Sequence, residues 1–210
     1  MSGYYQCWRA TLRLWTWSRS ALLAAGLLIA ALSWPSVVRC MAYRHLLHHG
    51  AFFDHGMNGP AWTQWLGGLY PAALIKYETL NCSNLSPCSF ASVRHFPEVK
   101  TIILNGTIWF GDDECAYFLE LPELRSLQLA GCRITDTGVA RIARCESLEM
   151  LYLEGTPVSD ASVSLLVRLS QLQELSVKRT RMTGDGVRRL VRSMSPDCIV
   201  DAEYPTEDES

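Results

Sequence analysis

Four histidines fall close together, His45, His48, His49 and His55, and on a helix His45 and His49 would share a face able to offer two ring nitrogens to a divalent metal. No carboxylate completes a His-Glu-x-x-His pattern, so a metal site with sensing or enzymatic activity ranks below capping histidines or histidines at a membrane surface. The eight cysteines show no paired metal spacing. Cys82 and Cys88 come nearest, and in an oxidising compartment they could close a short disulfide. Cys132, Cys145 and Cys198 read as packed thiols. Gly111–Glu114 is an acidic loop that reads as a solvated turn ahead of a calcium site. No G-x-S-x-G, no phosphate-cradling glycine loop and no nucleophile backed by His and Asp occurs. The expectation is a chain without catalysis, cofactor or bound metal.

Lys178, Arg179, Arg181, Arg188, Arg189 and Arg192 crowd together with only Asp185 against them. Nucleic acid would need this face in a domain that is otherwise acidic, so none is expected as a partner. The solvated face of a terminal helix accounts for the cluster, with an anionic membrane or acidic partner left open. The formal net charge is −2, yet residues 1–53 hold five arginines and no acid. Such asymmetry between ends marks a targeting or membrane segment.

The elements that must position these groups are written in a repeat. Leu124-Arg-Ser-Leu-Gln-Leu-Ala-Gly-Cys132 returns at Leu148–Thr156 and again at Leu172–Thr180, 24 residues apart each time. A fixed period of this size means a stacked solenoid. Val99, Ile102, Leu104 and Thr107 extend it backwards, and Leu74, Tyr77, Thr79 and Cys82 extend it once more. That gives five units, starting near 74, 99, 124, 148 and 172, with a degenerate leading end of the kind a capping repeat has. Within each unit the alternating Leu127 and Leu129 predict a short strand. Thr107, Cys132, Thr156 and Thr180 offer a small donor to backbone carbonyls where the chain leaves the strand. Thr135, Ser159 and Thr183 are N-cap residues for the helices that follow. Val139, Ile142 and Ala143, then Val163, Leu166 and Val167, then Val187, Leu190 and Val191 give each helix its apolar face. The expected fold is an α/β horseshoe, parallel strands inside and helices outside.

The units resemble bacterial leucine-rich repeats of the short type, L-x-x-L-x-L-x-x-T-x-[VI]-[TS]-D-x-G-[LV]-x-x-L, with Leu124–Leu148 and Leu172–Leu190 matching best. Met194-Ser-Pro-Asp-Cys-Ile199 is similar to the closure that follows the last such repeat. Gly59–Gly67 resembles the W-L-x-x-L-x-G lead-in. Two departures stand out: Gly184 replaces the usual Asp, and Trp109–Glu114 replaces the T-D-x-G turn, so irregular loops are expected there. A similar motif occurs in ubiquitin-ligase substrate receptors, but no F-box-like segment precedes it. The resemblance implies a fold and a binding role, with no particular ligand.

Residues 1–20 form a basic lead. Residues 21–38 are uncharged for 18 positions, about 27 Å as a helix and close to the ~30 Å hydrocarbon core. Trp15, Trp17 and Trp34 sit near its ends, and Arg9, Arg13 and Arg19 precede it, with Arg39 and Arg44 after it. The segment reads as a single-pass signal-anchor that exports the repeats to the periplasmic or extracytoplasmic side; a cleaved signal peptide is the rival. Residues 39–73 form a juxtamembrane cap with short helices at Tyr43–His49 and Pro60–Leu66. Residues 74–200 carry the repeats, and 201–210 form an acidic disordered tail.

A protein or peptide partner is expected on the concave strand face. The positions expected outward are Arg125, Ser126, Gln128 and Ala130, then Glu149, Met150, Tyr152 and Glu154, then Gln173, Glu174, Ser176 and Lys178. Of these Arg125, Gln128, Glu149, Tyr152, Glu154, Glu174 and Lys178 are the candidate contact residues, with Tyr152 at the centre. Five strands about 4.8 Å apart give a face roughly 20–25 Å wide, sized for a small partner. A structural envelope or assembly module without a discrete ligand is the alternative.

Overall fold

The computed structural model describes residues 38–39, 41–54 and 78–203, apart from the side chains of Phe53, Asp54 and Cys88. Most of the candidate anchor at 21–38, the expected helix at Pro60–Leu66, the positions Leu74 and Tyr77, and the tail from 204 onward lie outside the described residues. Among the described residues no helix is long and apolar enough to cross a membrane.

Seven strands follow one another in sheet order as in sequence: β1 (Phe52–Asp54), β2 (Thr79–Asn81), β3 (Thr101–Ile103), β4 (Ser126–Gln128), β5 (Met150–Tyr152), β6 (Glu174–Ser176) and β7 (Ile199–Asp201). β2 to β7 are parallel, and β1 runs antiparallel to β2. The middle residue of each inner strand points into the core: Leu80, Ile102, Leu127, Leu151 and Leu175 are all fully buried. A second row, Cys82, Leu104, Leu129 and Leu153, is equally buried. Period-two alternation thus sends the flanking strand residues to the other face.

Two sequence expectations shift. Leu80 pairs with Ile102, so the first unit takes Leu80 and Cys82 as its core pair and is not the one written on Leu74, Tyr77, Thr79 and Cys82. Thr79 is half-exposed while Leu80 is buried, so the hydrophobic effect selects this register over the other. The chain also adds a sixth parallel strand. Val200 pairs with Leu175 and Asp201 with Ser176, so Asp201 belongs to the sheet and not to the tail. Across seven strands the face is about 29 Å wide.

The leading edge is closed by α1 (residues 41–48) and β1. Leu46, Ala42 and Ala51 are buried in the common core, and Gly50 ends the helix with φ 94°. Arg39 pairs with Glu98, and its guanidinium lies 5.3 Å over the Phe96 ring. One of the arginines counted beside the candidate anchor is therefore built into the fold.

Opposite the sheet the units differ. α2 (Pro87–Phe90) is a single turn, followed by a 3-10 stretch at Ala91–His95, and the next unit has only a 3-10 helix at Glu114–Glu120. There Phe90 meets Phe110 edge-on at 5.1 Å, and Phe110 stacks on Phe118 at 5.5 Å. The later units carry α3 (Asp136–Ile142), α4 (Val163–Leu166) and α5 (Gly184–Ser193). The unit between α3 and α5 is less helical than its apolar spacing predicts, a 3-10 turn at Asp160–Ser162 leading into one turn of helix. Thr135, Ser159 and Thr183 cap these segments by accepting from Thr137, Ala161 and Gly186 backbone N–H groups. Val139, Ile142, Leu166, Val187 and Leu190 are buried, but Val191 is 42% exposed; among the described residues no helix follows α5.

An aspartate from each unit holds the cap of the next. Asp112 accepts from Thr135 N and Oγ1 at 2.8 and 2.6 Å, Asp136 from Ser159 N and Oγ at 2.9 and 2.6 Å, and Asp160 from Thr183 N and Oγ1 at 2.8 and 2.7 Å. Glycine follows from this ladder. A Cβ on Gly138 would stand 2.5 Å from Asp112 Oδ1, and one on Gly186 would collide with the Asp160 carboxylate. The middle unit has Ser162 at the same place, and its hydroxyl donates to Asp136 instead. The acidic loop is a turn with Asp113 exposed, and its other acids are held within the fold. Asp112 is a rung of the ladder, Asp113 pairs with Arg141 at 2.9 Å, and Glu114 accepts from Gly111 N at 3.0 Å. Gly184 stands where Asp136 and Asp160 stand in the two units before it, and among the described residues no capped helix follows α5.

Candidate functional site

Small donors fix where each strand ends and the surface begins. Thr107 Oγ1 donates to Ser83 O at 3.4 Å and Cys132 Sγ to Leu104 O at 3.2 Å. Thr156 and Thr180 donate to Leu153 O and Val177 O, at 2.7 and 2.9 Å. The residue before each of these turns back with positive φ: Gly106, Gly131, Gly155 and, in the last unit, Arg179 at 53°. The strands therefore present the same positions in every unit.

Parallel register sets the exposed side chains in rows. One row is Thr101, Ser126, Met150 and Glu174; the next is Ile103, Gln128, Tyr152, Ser176 and Asp201. Before the strands lie Lys100, Arg125 and Glu149, and after them Ala130, Glu154 and Lys178. Ser126 and Ser176, expected outward and accessible, are each only 2% exposed, because longer neighbours close over them. The Ser176 hydroxyl is buried without a hydrogen-bond partner.

Of the seven candidates, Gln128, Tyr152 and Glu174 lie within the strands opposite the core rows while Arg125, Glu149, Glu154 and Lys178 flank them, and they are not equally free. Arg125 and Glu149 pair with each other, and Lys178 pairs with Asp201 at 2.6 Å. That contact raises the Lys178 pKa against an opposing desolvation, with Glu203 and Glu154 adding to it. Gln128 Oε1 accepts from Asn105 Nδ2 at 3.1 Å, and Asn105 Oδ1 accepts from Ala130 N at 3.1 Å. Tyr152 is half-buried beside Met150, whose sulfur is 3.9 Å from the hydroxyl. Burial raises the Tyr152 pKa, and the Glu174 carboxylate, which accepts from the hydroxyl, and the Glu154 charge raise it further. Neither Glu154 nor Glu174 makes an ion pair among the described residues. Sequence reasoning missed Asp201 and Asn105 as parts of this surface. Asp201 was hidden by the acid-rich residues after it, although its spacing from Ser176 matches the repeat.

The other reactive groups are accounted for elsewhere. His45 and His49 rings lie 4.5 Å apart and His48 5.3 Å from His49, but among the described residues no three ligands are gathered for a metal. Cys82 is a free, buried thiol, so no bridge to Cys88 forms here. Burial pushes the Cys132 and Cys145 thiols up to about 11, and Cys82 and Cys115 higher. None is poised as a nucleophile. A recess of about 280 Å³ where residues 118–122 meet 144–147 contains only Cys145 of these. In the basic cluster Arg179 pairs with Glu203, Arg188 with Asp185 and Arg189 with Asp160, at 3.5, 2.6 and 3.3 Å.

Successive parallel strands with a double apolar row, a polar turn residue and an outer helical segment define an α/β leucine-rich repeat fold. No protein family model matches the chain, and no curated protein matches it. Among solved structures it is similar to an internalin C2 and an internalin F, both from Listeria monocytogenes, at 19% and 12% identity and TM-scores of 0.41 and 0.40. Each alignment covers 56% of this chain, and 49% and 38% of the internalins, so the chain spans half or less of the structures it matches. Similarity this distant says nothing about activity or partners, and the fold rests on the chain's own register and core.

Proposed function

We propose that the chain is a membrane-anchored interaction module that offers the sheet face of its leucine-rich repeats to a protein or extended peptide, and that it catalyses no reaction. The observation that carries this reading is the half-exposed row centred on Tyr152. Gln128, Tyr152, Glu154 and Glu174 lie on a regular strand lattice, ringed by side chains whose charges are already paired. A rigid aromatic with a polar tip, amid groups that need no reorganisation, is the makeup of an interaction hot spot. A photo-crosslinking residue placed at Gln128 in cells is expected to give discrete protein adducts that Tyr152→Ala abolishes. The same adducts from a probe at Ala140, on α3, would overturn it.

The anchor belongs to the same reading and rests on the uncharged run at 21–38, its tryptophan flanks and the arginine bias. Arg39, next to the uncharged run, pairs with Glu98 of the repeat fold, so an anchored domain would stand close to the bilayer. Alkaline extraction should leave the protein in the membrane fraction, and protease added to intact cells or spheroplasts should reach the repeats. Release by alkali, or protection of the repeats, would sink the respective half of the proposal.

A further inference from the structure

We infer that Tyr152, Glu154 and Glu174 form a clip for a lysine or arginine side chain carried on an extended segment of the partner; this rests on the sheet-face reading above. Glu154 lies two residues beyond Tyr152 on the same side of the chain, and Glu174 lies diagonally across on β6, two residues before Ser176, the register partner of Tyr152. Two carboxylates therefore flank one ring from two directions. They are the exception on this surface. Glu78 is taken by Lys100 at 2.7 Å, Glu149 by Arg125 and Asp201 by Lys178, whereas among the described residues Glu154 and Glu174 make no ion pair, although the Glu154 charge acts on Lys178.

A second, independent feature points the same way. Ser176, 2% exposed, is on the same face as its register partner Tyr152, and its hydroxyl has no partner. Buried hydroxyls are normally satisfied, and one left without a partner in this row can accept from a ligand N–H once the side chains over it part. An ammonium or guanidinium within about 6 Å of the ring centroid would gain from the aromatic face and from both carboxylates. Met150 beside the ring would cover the aliphatic stem of such a side chain. Anionic ligands are disfavoured, because the charges acting on the Tyr152 ring are the Glu174 and Glu154 carboxylates, and Arg125 and Lys178 on this face are already paired. Strand spacing of about 4.8 Å across the face suits an extended segment that crosses the strands and places one residue in the clip.

The test uses the full chain in detergent micelles and a fluorescent decapeptide of alternating Ser and Lys, with Ser/norleucine and Ser/Glu versions as comparators. Fluorescence anisotropy at 50 mM salt is expected to show the Lys peptide binding about tenfold more tightly than the norleucine one, weakening as salt rises. Glu154→Gln and Glu174→Gln should each weaken it about fivefold, and Tyr152→Leu by five- to tenfold. Glu123→Gln, an exposed carboxylate in the turn before β4, should change nothing. Equal binding of the Lys and norleucine peptides, or losses no larger than that of the Glu123 variant, overturns the clip. If the clip fails while the Gln128 probe still marks discrete partners lost with Tyr152→Ala, the interaction reading survives alone. If the probes at Gln128 and Ala140 behave alike while Lys binding holds, the clip survives and that reading falls.

Discussion

The units beginning at Val99 and at Leu124 stack in one register, Ile102 on Leu127, yet they fill the side opposite the sheet with different chemistry. In the earlier unit Trp109, Phe110, Tyr117 and Phe118 gather around Phe90, and the backbone passes through 3-10 turns. In the later units small apolar residues fit beneath short capped helices, and aspartates link one cap to the next. Bulky rings fill the volume a helix would occupy, so the chain needs no regular helix there. Slim residues leave room for a helix, but then its open N–H groups must be satisfied; the Thr135, Ser159 and Thr183 hydroxyls accept from them, and the aspartate ladder holds those caps in place. Nearest-neighbour stacking tolerates both solutions because it demands only matching strands.

The contrast can be broken from either side, and the aromatic side should give way most. Phe110→Ala removes a fully buried ring from the cluster and is expected to cost about 3–5 kcal/mol. Chemical denaturation followed by circular dichroism would check this, and a loss under 1 kcal/mol would show that the rings are not what holds the leading units. On the ladder side, Gly186→Ala sets a methyl against the Asp160 carboxylate and should cost about 1–3 kcal/mol in the same assay. The equivalent change at the serine unit, Ser162→Ala, adds no atom and removes only one of the bonds to Asp136, so it should cost less.

Acid should separate the halves as well. Burial pushes the Asp136 carboxyl up, but the hydrogen bonds from Ser159 and Ser162 outweigh it and hold it below the usual carboxylate range. A depressed folded pKa contributes stability that is present above the unfolded value and lost as pH falls through the folded one. Asp136→Asn should therefore destabilise by about 1–2 kcal/mol at pH 7 and flatten this part of the acid loss below about pH 4. Thermal melts from pH 7 to pH 2.5 would read it, and parallel wild-type and variant curves would refute it. The smallest effect is expected at the last turn. Arg179 takes the left-handed conformation that glycine fills at Gly106, Gly131 and Gly155, so Arg179→Gly should shift stability by no more than about 1 kcal/mol, toward stabilisation. A clear loss would show that the Arg179–Glu203 contact outweighs the strain.

Much of this was legible in residues 124–193, where propensity, period and capping agree. Leu127 and Leu129 named the strand, Thr135, Ser159 and Thr183 named the caps, and Tyr152 stood out on the exposed face. Legibility failed where two apolar patterns compete. Leu74 and Tyr77 fit a 25-residue spacing as well as Leu80 and Cys82 fit a shorter one, and only burial against Ile102 decides. Trp109–Glu114 looked like a lost turn because its spelling had changed, although Asp112 keeps its place in the ladder. Gly184 breaks the aspartate pattern, and among the described residues no capped helix follows α5.

On the sheet face, alternation assigned Gln128, Tyr152, Glu154, Glu174 and Lys178 to the side away from the core, while Arg125 and Glu149 flank the strands. The sequence could not tell which of them are spoken for. The pairing of Arg125 with Glu149 and of Lys178 with Asp201, and the meeting of Glu174 with Tyr152, join residues on neighbouring strands about 24 positions apart. Periodicity along a chain fixes the direction in which a side chain points, because backbone geometry is local. Which charge meets which depends on the register between units, and register is set by the whole stacked core.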